Sequence, residues 1–374
     1  IDPDDLSALA NLDGLFDRTA QWRELLQVLE RQSELTPDDD ARTDVRFRIG
    51  ELWRTQLEDP IQAIEIHRDI LAETPVHQPT LDALTSMMND AVEPLAAAEA
   101  LEQVYLQVGE YRKLAEVREA QVRFTEDPSE RVEMLHQLAE IYELQLEDPP
   151  SAFSAFVRAL PLDRGNELTL ASIERLAEHT DSWHEAASRF DAEVQKMKDE
   201  FPDEVVHLAK RSAVINEVQL DDVDAAIARY QFVVDVDGSD LGAMEALDRL
   251  YEQTERWDEL AATLKMEAAV ATTPDDILNL QFRTGQIFQN QLGNMDSAIE
   301  QYREIIAAAP EFAPAVDALE DLFSQGVQPM AIGEVLEPLY RMQGNWDQLL
   351  NVQEVQVEQQ RDPIERVVMM HRLA

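Results

Sequence analysis

The feature that most constrains this chain is that it repeats itself. Laid over itself at an offset of 235, residues 1–139 align with 236–374 without a gap, and more than a third of the 139 pairs are identical. Trp22 falls on Trp257, Phe47-Arg48 on Phe282-Arg283, Ala63-Ile64-Glu65 on Ala298-Ile299-Glu300, and Pro75 and Pro79 on Pro310 and Pro314. Identity at that level across a gapless stretch means one block copied, so the chain must fold by stacking like on like. The reading is block one over 1–235 and block two over 236–374, the second a truncated copy of 1–139. Ala374 lies in mid-pattern, since its counterpart Ala139 runs on into Glu140-Ile141-Tyr142, so the 374 residues read as a fragment of a longer array.

Inside the block runs a shorter period. An aromatic residue with a small or aliphatic residue three later recurs as Trp22/Leu25, Tyr111/Leu114, Trp183/Ala186, Trp257/Leu260 and Trp346/Leu349, at spacings of 89, 72, 74 and 89. Between these markers stands a second one, Gln-Leu followed by acidic or turn residues, at Gln56, Gln145, Gln219 and Gln291. It reads as a helix stop followed at once by a helix start. Asp59, Asp148, Asp222 and Asn294 have the side chains of N-caps, and Pro60 and Pro149 suit the first helical position, where the missing N–H has no intrahelical partner to lose. Each helix that follows has a small residue early and a large one four later: Ala63/His67, Ala152/Phe156, Ala226/Tyr230 and Ala298/Tyr302. Small against large lets antiparallel helices approach closely. The two longer spacings contain matching inserts, Val92 to Gly109 and Val327 to Gly344, each read as one extra helix. Scarce glycine and the absence of cysteine argue against all-β and disulfide-built folds. The expected fold is all-α without a β-sheet, an α-solenoid in which a superhelical array of antiparallel helix hairpins buries stripes that no single helix could bury alone.

Residues Arg48-Ile49-Gly50-Glu51-Leu52-Trp53, then Asp59-Pro60, Ala63-Ile64 and Pro75, resemble the tetratricopeptide repeat, whose pattern runs Leu-Gly-x-x-Tyr, Ala, an aromatic, then Pro. Phe282-Arg283-Thr284-Gly285-Gln286-Ile287-Phe288 with Ala298, Tyr302 and Pro310 is the best match. The resemblance alternates good copies with degenerate ones along the whole chain, and the Trp22-type units fit only loosely. It implies a non-catalytic interaction scaffold or adaptor in which the first helix of each repeat lines a groove for a partner protein or peptide. The alternative is a regulatory or positioning region of an enzyme whose catalytic domain lies outside this chain. Carried onto the recognisable copies, the groove face implied is Asp44, Phe47, Glu51 and Arg54; Glu133, His136, Glu140 and Glu143; His207, Lys210 and Glu217; and Asn279, Phe282, Gln286 and Gln289. Phe47 and Phe282 could offer an apolar anchor site or could pack against neighbouring helices. Binding of a terminal carboxylate by clustered basic residues is disfavoured, because Lys210 stands almost alone on this face.

Charge narrows the partners. With 76 Asp and Glu against 31 Lys and Arg, the formal charge is −45, which opposes nucleic acids and anionic membranes and favours proteins with basic segments. A general acidity of the surface, unrelated to binding, would give the same composition. Motifs for phosphate cradles, nucleophile elbows and zinc proteases are missing from the sequence, and no cofactor is expected. Glu133/His136 and Glu204/His207 have the Glu-x-x-His spacing of di-iron bundles. They are read as ordinary helix residues, because the second-block counterpart of Glu133 is Val368 and because His136 corresponds to Lys210 rather than His207. His179 and His184 have no positioned partner, the turn aromatics are read as inter-helix packing, and clusters such as Asp38-Asp39-Asp40 lack the spacing of a calcium loop. The compartment is open.

Overall fold

The computed structural model describes residues 5–373, and among them are twenty-one α-helices and no strand. They fall into two compact units, the first up to Arg189 and the second from Phe190. In the first unit the order is α1 (Leu6–Arg18), α2 (Trp22–Leu35), α3 (Asp39–Thr55), α4 (Pro60–Glu73), α5 (Gln78–Asn89), α6 (Pro94–Val108), α7 (Tyr111–Phe124), α8 (Pro128–Glu140), α9 (Pro149–Ala159) and α10 (Glu167–Thr180). Helix α11 (Trp183–Met197) follows. The second unit continues with α12 (Val206–Val214), α13 (Val223–Val236), α14 (Leu241–Gln253), α15 (Trp257–Val270), α16 (Pro274–Asn290), α17 (Met295–Ala308), α18 (Ala313–Ser324), α19 (Pro329–Gln343), α20 (Trp346–Gln359) and α21 (Pro363–Leu373). Within each unit the helices pack chiefly on their neighbours in sequence, as stacked hairpins must.

The four Gln-Leu turns are built alike. Asp59, Asp148, Asp222 and Asn294 accept the backbone N–H three residues on, at 3.0 to 3.3 Å. The helix before each turn closes with a backbone bond reaching six residues back, from Asp59 N–H to the carbonyl of Trp53, Asp148 to Tyr142, Asp222 to Asn216 and Asn294 to Phe288, at 2.7 to 3.0 Å. That closure demands a left-handed residue just before the cap, and Glu58, Glu147, Asp221 and Gly293 supply it with φ of 55°, 50°, 53° and 62°. The four turns differ in one respect. Helices α3 and α16 run α-helical up to the turn, whereas α8 and α12 end in a wider π-helical turn, residues 141–145 and 215–219.

The inserts are single helices, α6 and α19. Each begins after a left-handed residue, Glu93 or Gln328, and ends at a left-handed glycine, Gly109 or Gly344, with φ of 73°. The small-against-large pairs are all buried: Ala63/His67, Ala152/Phe156, Ala226/Tyr230 and Ala298/Tyr302. In the first unit Leu84, Met87, Leu101 and Leu114 form the centre of a core, and in the second Tyr302, Ile305, Leu319 and Leu336 do so.

One expectation needs narrowing and one needs correction. The turn aromatics open α2, α7, α11, α15 and α20, and Trp22 and Tyr111 pack against the cores from their edge, yet none of the five is fully buried, and Trp346 is 62% exposed. It is the residue three later, Leu25, Leu114, Ala186, Leu260 or Leu349, that enters the core, because a side chain in the first turn projects past the end of the helix rather than onto its inner stripe. Glu204 and His207 share no helix: Glu204 closes a short 3-10 turn, Pro202–Glu204, and His207 belongs to α12.

Candidate partner-binding surface

The candidate residues lie on α3, α8, α12 and α16, the first helices of four equivalent hairpins, with Glu143 and Glu217 in the π-helical turns that follow α8 and α12. They occupy four positions spaced three or four apart, three of them filled in the α12 set, so each set shares one helix face. What the hairpin does with each position differs.

The second position is spent on packing. Phe47 lies against His67 of α4, with ring centroids 5.5 Å apart, and against His77 at 5.7 Å. His136 meets Phe156 of α9 at 5.3 Å, and Phe282 meets Tyr302 of α17 at 5.7 Å and Phe312 at 5.8 Å. These are aromatic pairs in tilted or edge contact, a favourable arrangement for ring quadrupoles. Phe47 and Phe282 therefore anchor their own hairpins. His136 also shares a 2.8 Å hydrogen bond with Thr169 of α10, and burial holds its ring below the usual histidine range. Lys210, at the same position in α12, is paired with Asp240.

The fourth position answers to whatever large residue the second helix carries. Where that residue is a tyrosine, the position provides an acceptor for the buried hydroxyl: Tyr230 donates to Glu217 at 3.1 Å and Tyr302 to Gln289 at 2.8 Å. Burial, together with Glu217 in the first case, pushes both phenols up to about 12. Where the residue is Phe156, which has nothing to donate, Glu143 turns to Arg175 of α10 in a two-pronged pair. Where it is His67, the position is Arg54, which binds Glu51 one turn back, and Glu51 Oε1 lies 3.6 Å from His67 Nε2. Burial opposes the charge on Glu51, but His67 and Arg54 outweigh it and hold the carboxyl down at about 2. Glu217 is engaged a second time, by Arg249.

The remaining positions face outward. Asp44, Glu133 and Asn279 at the first position are exposed, as are Glu140 and Gln286 at the third, while His207 is half-buried. Asp44 has only a distant histidine contact, with His77 Nε2 at 3.8 Å. The structure thus splits the candidates into a displayed set of acids and amides and a set consumed within the hairpins. It also adds two residues that the sequence reading missed. Leu144 and Val218, in the two π-helical turns, are apolar yet 62% and 64% exposed. Their signal was an apolar residue one place before Gln-Leu, where the other two copies carry Thr55 and Asn290. No described helix is long and apolar enough to cross a membrane.

A tetratricopeptide repeat model matches residues 8–43 and 243–278, two stretches 235 apart that cover α1–α2 and α14–α15. The model thus falls on the Trp22 and Trp257 hairpins, one hairpin ahead of the residues that carry the resemblance in sequence. No curated protein matches the chain. Among solved structures, the chain is similar to pilF of Pseudomonas aeruginosa at 14% identity over 61% of this chain and 98% of that one, with a TM-score of 0.29. It is similar to a tetratricopeptide repeat protein from Parabacteroides merdae at 12% identity over 83% and 96%, TM-score 0.19. A human IFIT1 dimer with PPP-AAAA gives 12% identity over 97% and 96%, TM-score 0.28. Such identities and scores say nothing of what this chain binds.

Proposed function

We propose, from the premise that this chain is a tetratricopeptide-type repeat protein, that it is a non-catalytic scaffold whose hairpin first helices hold a basic segment of a partner protein. Repeats of this type serve protein–protein interaction in general. The observation that supports the finer reading is the sorting of α3 and α8. Their candidate residues at the aromatic and fourth positions are engaged with neighbouring side chains, and the candidate residues left exposed are acidic, namely Asp44, Glu133 and Glu140. In a chain of formal charge −45 these carboxylates would steer a cationic segment and repel an anionic one. Leu144, exposed at the end of α8, gives an apolar partner residue a place to rest beside them.

The test is a peptide array of matched basic, neutral and acidic segments, probed with the chain and with the triple variant Asp44→Asn, Glu133→Gln, Glu140→Gln. Basic peptides should be retained at about 50 mM salt and shed at about 500 mM, where screening shortens to a few ångströms. The triple variant should lose them while melting as before. Retention that ignores both salt and the three substitutions would refute the reading.

A further inference from the structure

Ten residues after each turn aromatic, on α2, α7, α11, α15 and α20, stands a buried amide or acid: Gln32, Gln121, Glu193, Glu267 and Gln356. On α7 the reason for an amide is plain. Gln121 donates its Nε2 to Glu102 of the preceding helix at 2.8 Å. The residue equivalent to Glu102 ahead of α15 is Asp248 of α14, so an acid persists there while the amide facing it has become Glu267. Two carboxylates have replaced a donor and an acceptor, and the donor is missing. The consequence is visible as two buried oxygens without a hydrogen-bond partner, Asp248 Oδ1 and Glu267 Oε1. Arg283 of α16 bonds the other Asp248 oxygen at 2.5 Å and Glu252 at 2.6 Å, and it makes no hydrogen bond to Glu267 Oε1.

We propose that Glu267 carries a proton which supplies the missing donor toward Asp248, so that it latches α15 to α14 as a neutral acid and releases that latch when the proton is lost. The groups that face it are Asp248 and Glu245 from α14 and Arg283 from α16. Burial above all, then the charge of Asp248, push the Glu267 carboxyl up to about 7, with Arg283 opposing and Glu245 adding. A carboxyl raised in this way adds stability that is intact below the ordinary carboxylate range and is lost as pH climbs from there to about 7. Gln32, at the same place on α2, has no proton to lose, so α2 provides the internal control.

The experiment is hydrogen–deuterium exchange of the whole chain at pH 5.5 and 8.5, corrected for intrinsic rates, following peptides from α15 and α2. Protection of α15 relative to α2 should fall by more than about tenfold at the higher pH. Equal loss in both helices would overturn the latch. Glu267→Gln supplies the donor at every pH and should raise the melting temperature by about 4 to 8 °C at pH 8.5, a gap closing toward pH 5. A gap independent of pH would show that the amide merely packs better.

Discussion

Two hairpins of the first unit, α3–α4 and α8–α9, have the same aspartate cap and Gln-Leu turn sequence, and at the point of closest approach they differ by one methyl group. In α3 that point is Gly50, and a Cβ there would lie 2.6 Å from Cε1 of the His67 ring, closer than real atoms come. In α8 the same position is Ala139, and the helix end widens into the π-helical turn 141–145. The second unit contains the same contrast in reverse order. Ala213 precedes the π-helical turn 215–219, whereas Gly285, whose Cβ would meet Tyr302 Cε1 at 2.5 Å, precedes an α-helical end. A methyl at this point and a widened turn occur together in both units. The lesson is that a hairpin can bring a large ring close in two ways: by removing the Cβ beneath it, or by letting the last turn of the helix give way.

The strongest blow to the comparison removes the ring itself. Tyr302 is fully buried and its hydroxyl is satisfied by Gln289, so Tyr302→Ala should cost about 3 to 5 kcal/mol in urea denaturation. Trp346→Ala, a change of similar size at an exposed residue, should cost well under about 1 kcal/mol. If the two losses were alike, the assignment of the core to the small-and-large pairs would fail. Next in size is the methyl. Gly285→Ala should cost about 1 to 3 kcal/mol, the range for overfilling a packed site, and should widen the turn at 287–291. The reverse change, Ala139→Gly, should let the end of α8 close as an α-helix. A crystal structure of either variant decides the matter, and an unchanged turn in both would mean that the methyl does not select the turn.

These contrasts also mark how far the sequence could be read. The helix stops and starts were legible because their chemistry is local: an Asp or Asn beside Gln-Leu caps a helix wherever it stands. The inserted helices were legible because 89 exceeds 72 and 74 by one helix and its loop. The π-helical turns were not, since Gly-to-Ala between copies looks like ordinary drift until the ring across the hairpin is in view. What each residue of the candidate face touches was hidden in the same way. Spacing put Asp44, Phe47, Glu51 and Arg54 on one side of a helix, but whether a residue is displayed depends on His67 and His77, which lie well downstream. Glu267 was hidden by composition, because one more acid in a chain with 76 of them raises no suspicion.

The smallest expected effect sharpens the comparison where all four hairpins agree. The residue before each cap must be left-handed, and for an L-residue with a Cβ that conformation costs about 1 to 2 kcal/mol, a penalty glycine escapes. Three hairpins accept it with Glu58, Glu147 and Asp221, and only the Gly293 hairpin does not. Glu58→Gly, Glu147→Gly and Asp221→Gly should therefore each stabilise, by about 0.5 to 1 kcal/mol, because the added freedom of glycine in the unfolded chain takes back part of the gain. Gly293→Glu should lose a similar amount. No Cβ contact obstructs that last change, since nothing lies within 4 Å of the Gly293 position, so conformation alone would be measured. Thermal melting of the four variants at low and high salt separates this from charge: a conformational gain persists at high salt, whereas relief of repulsion between neighbouring acids fades with screening.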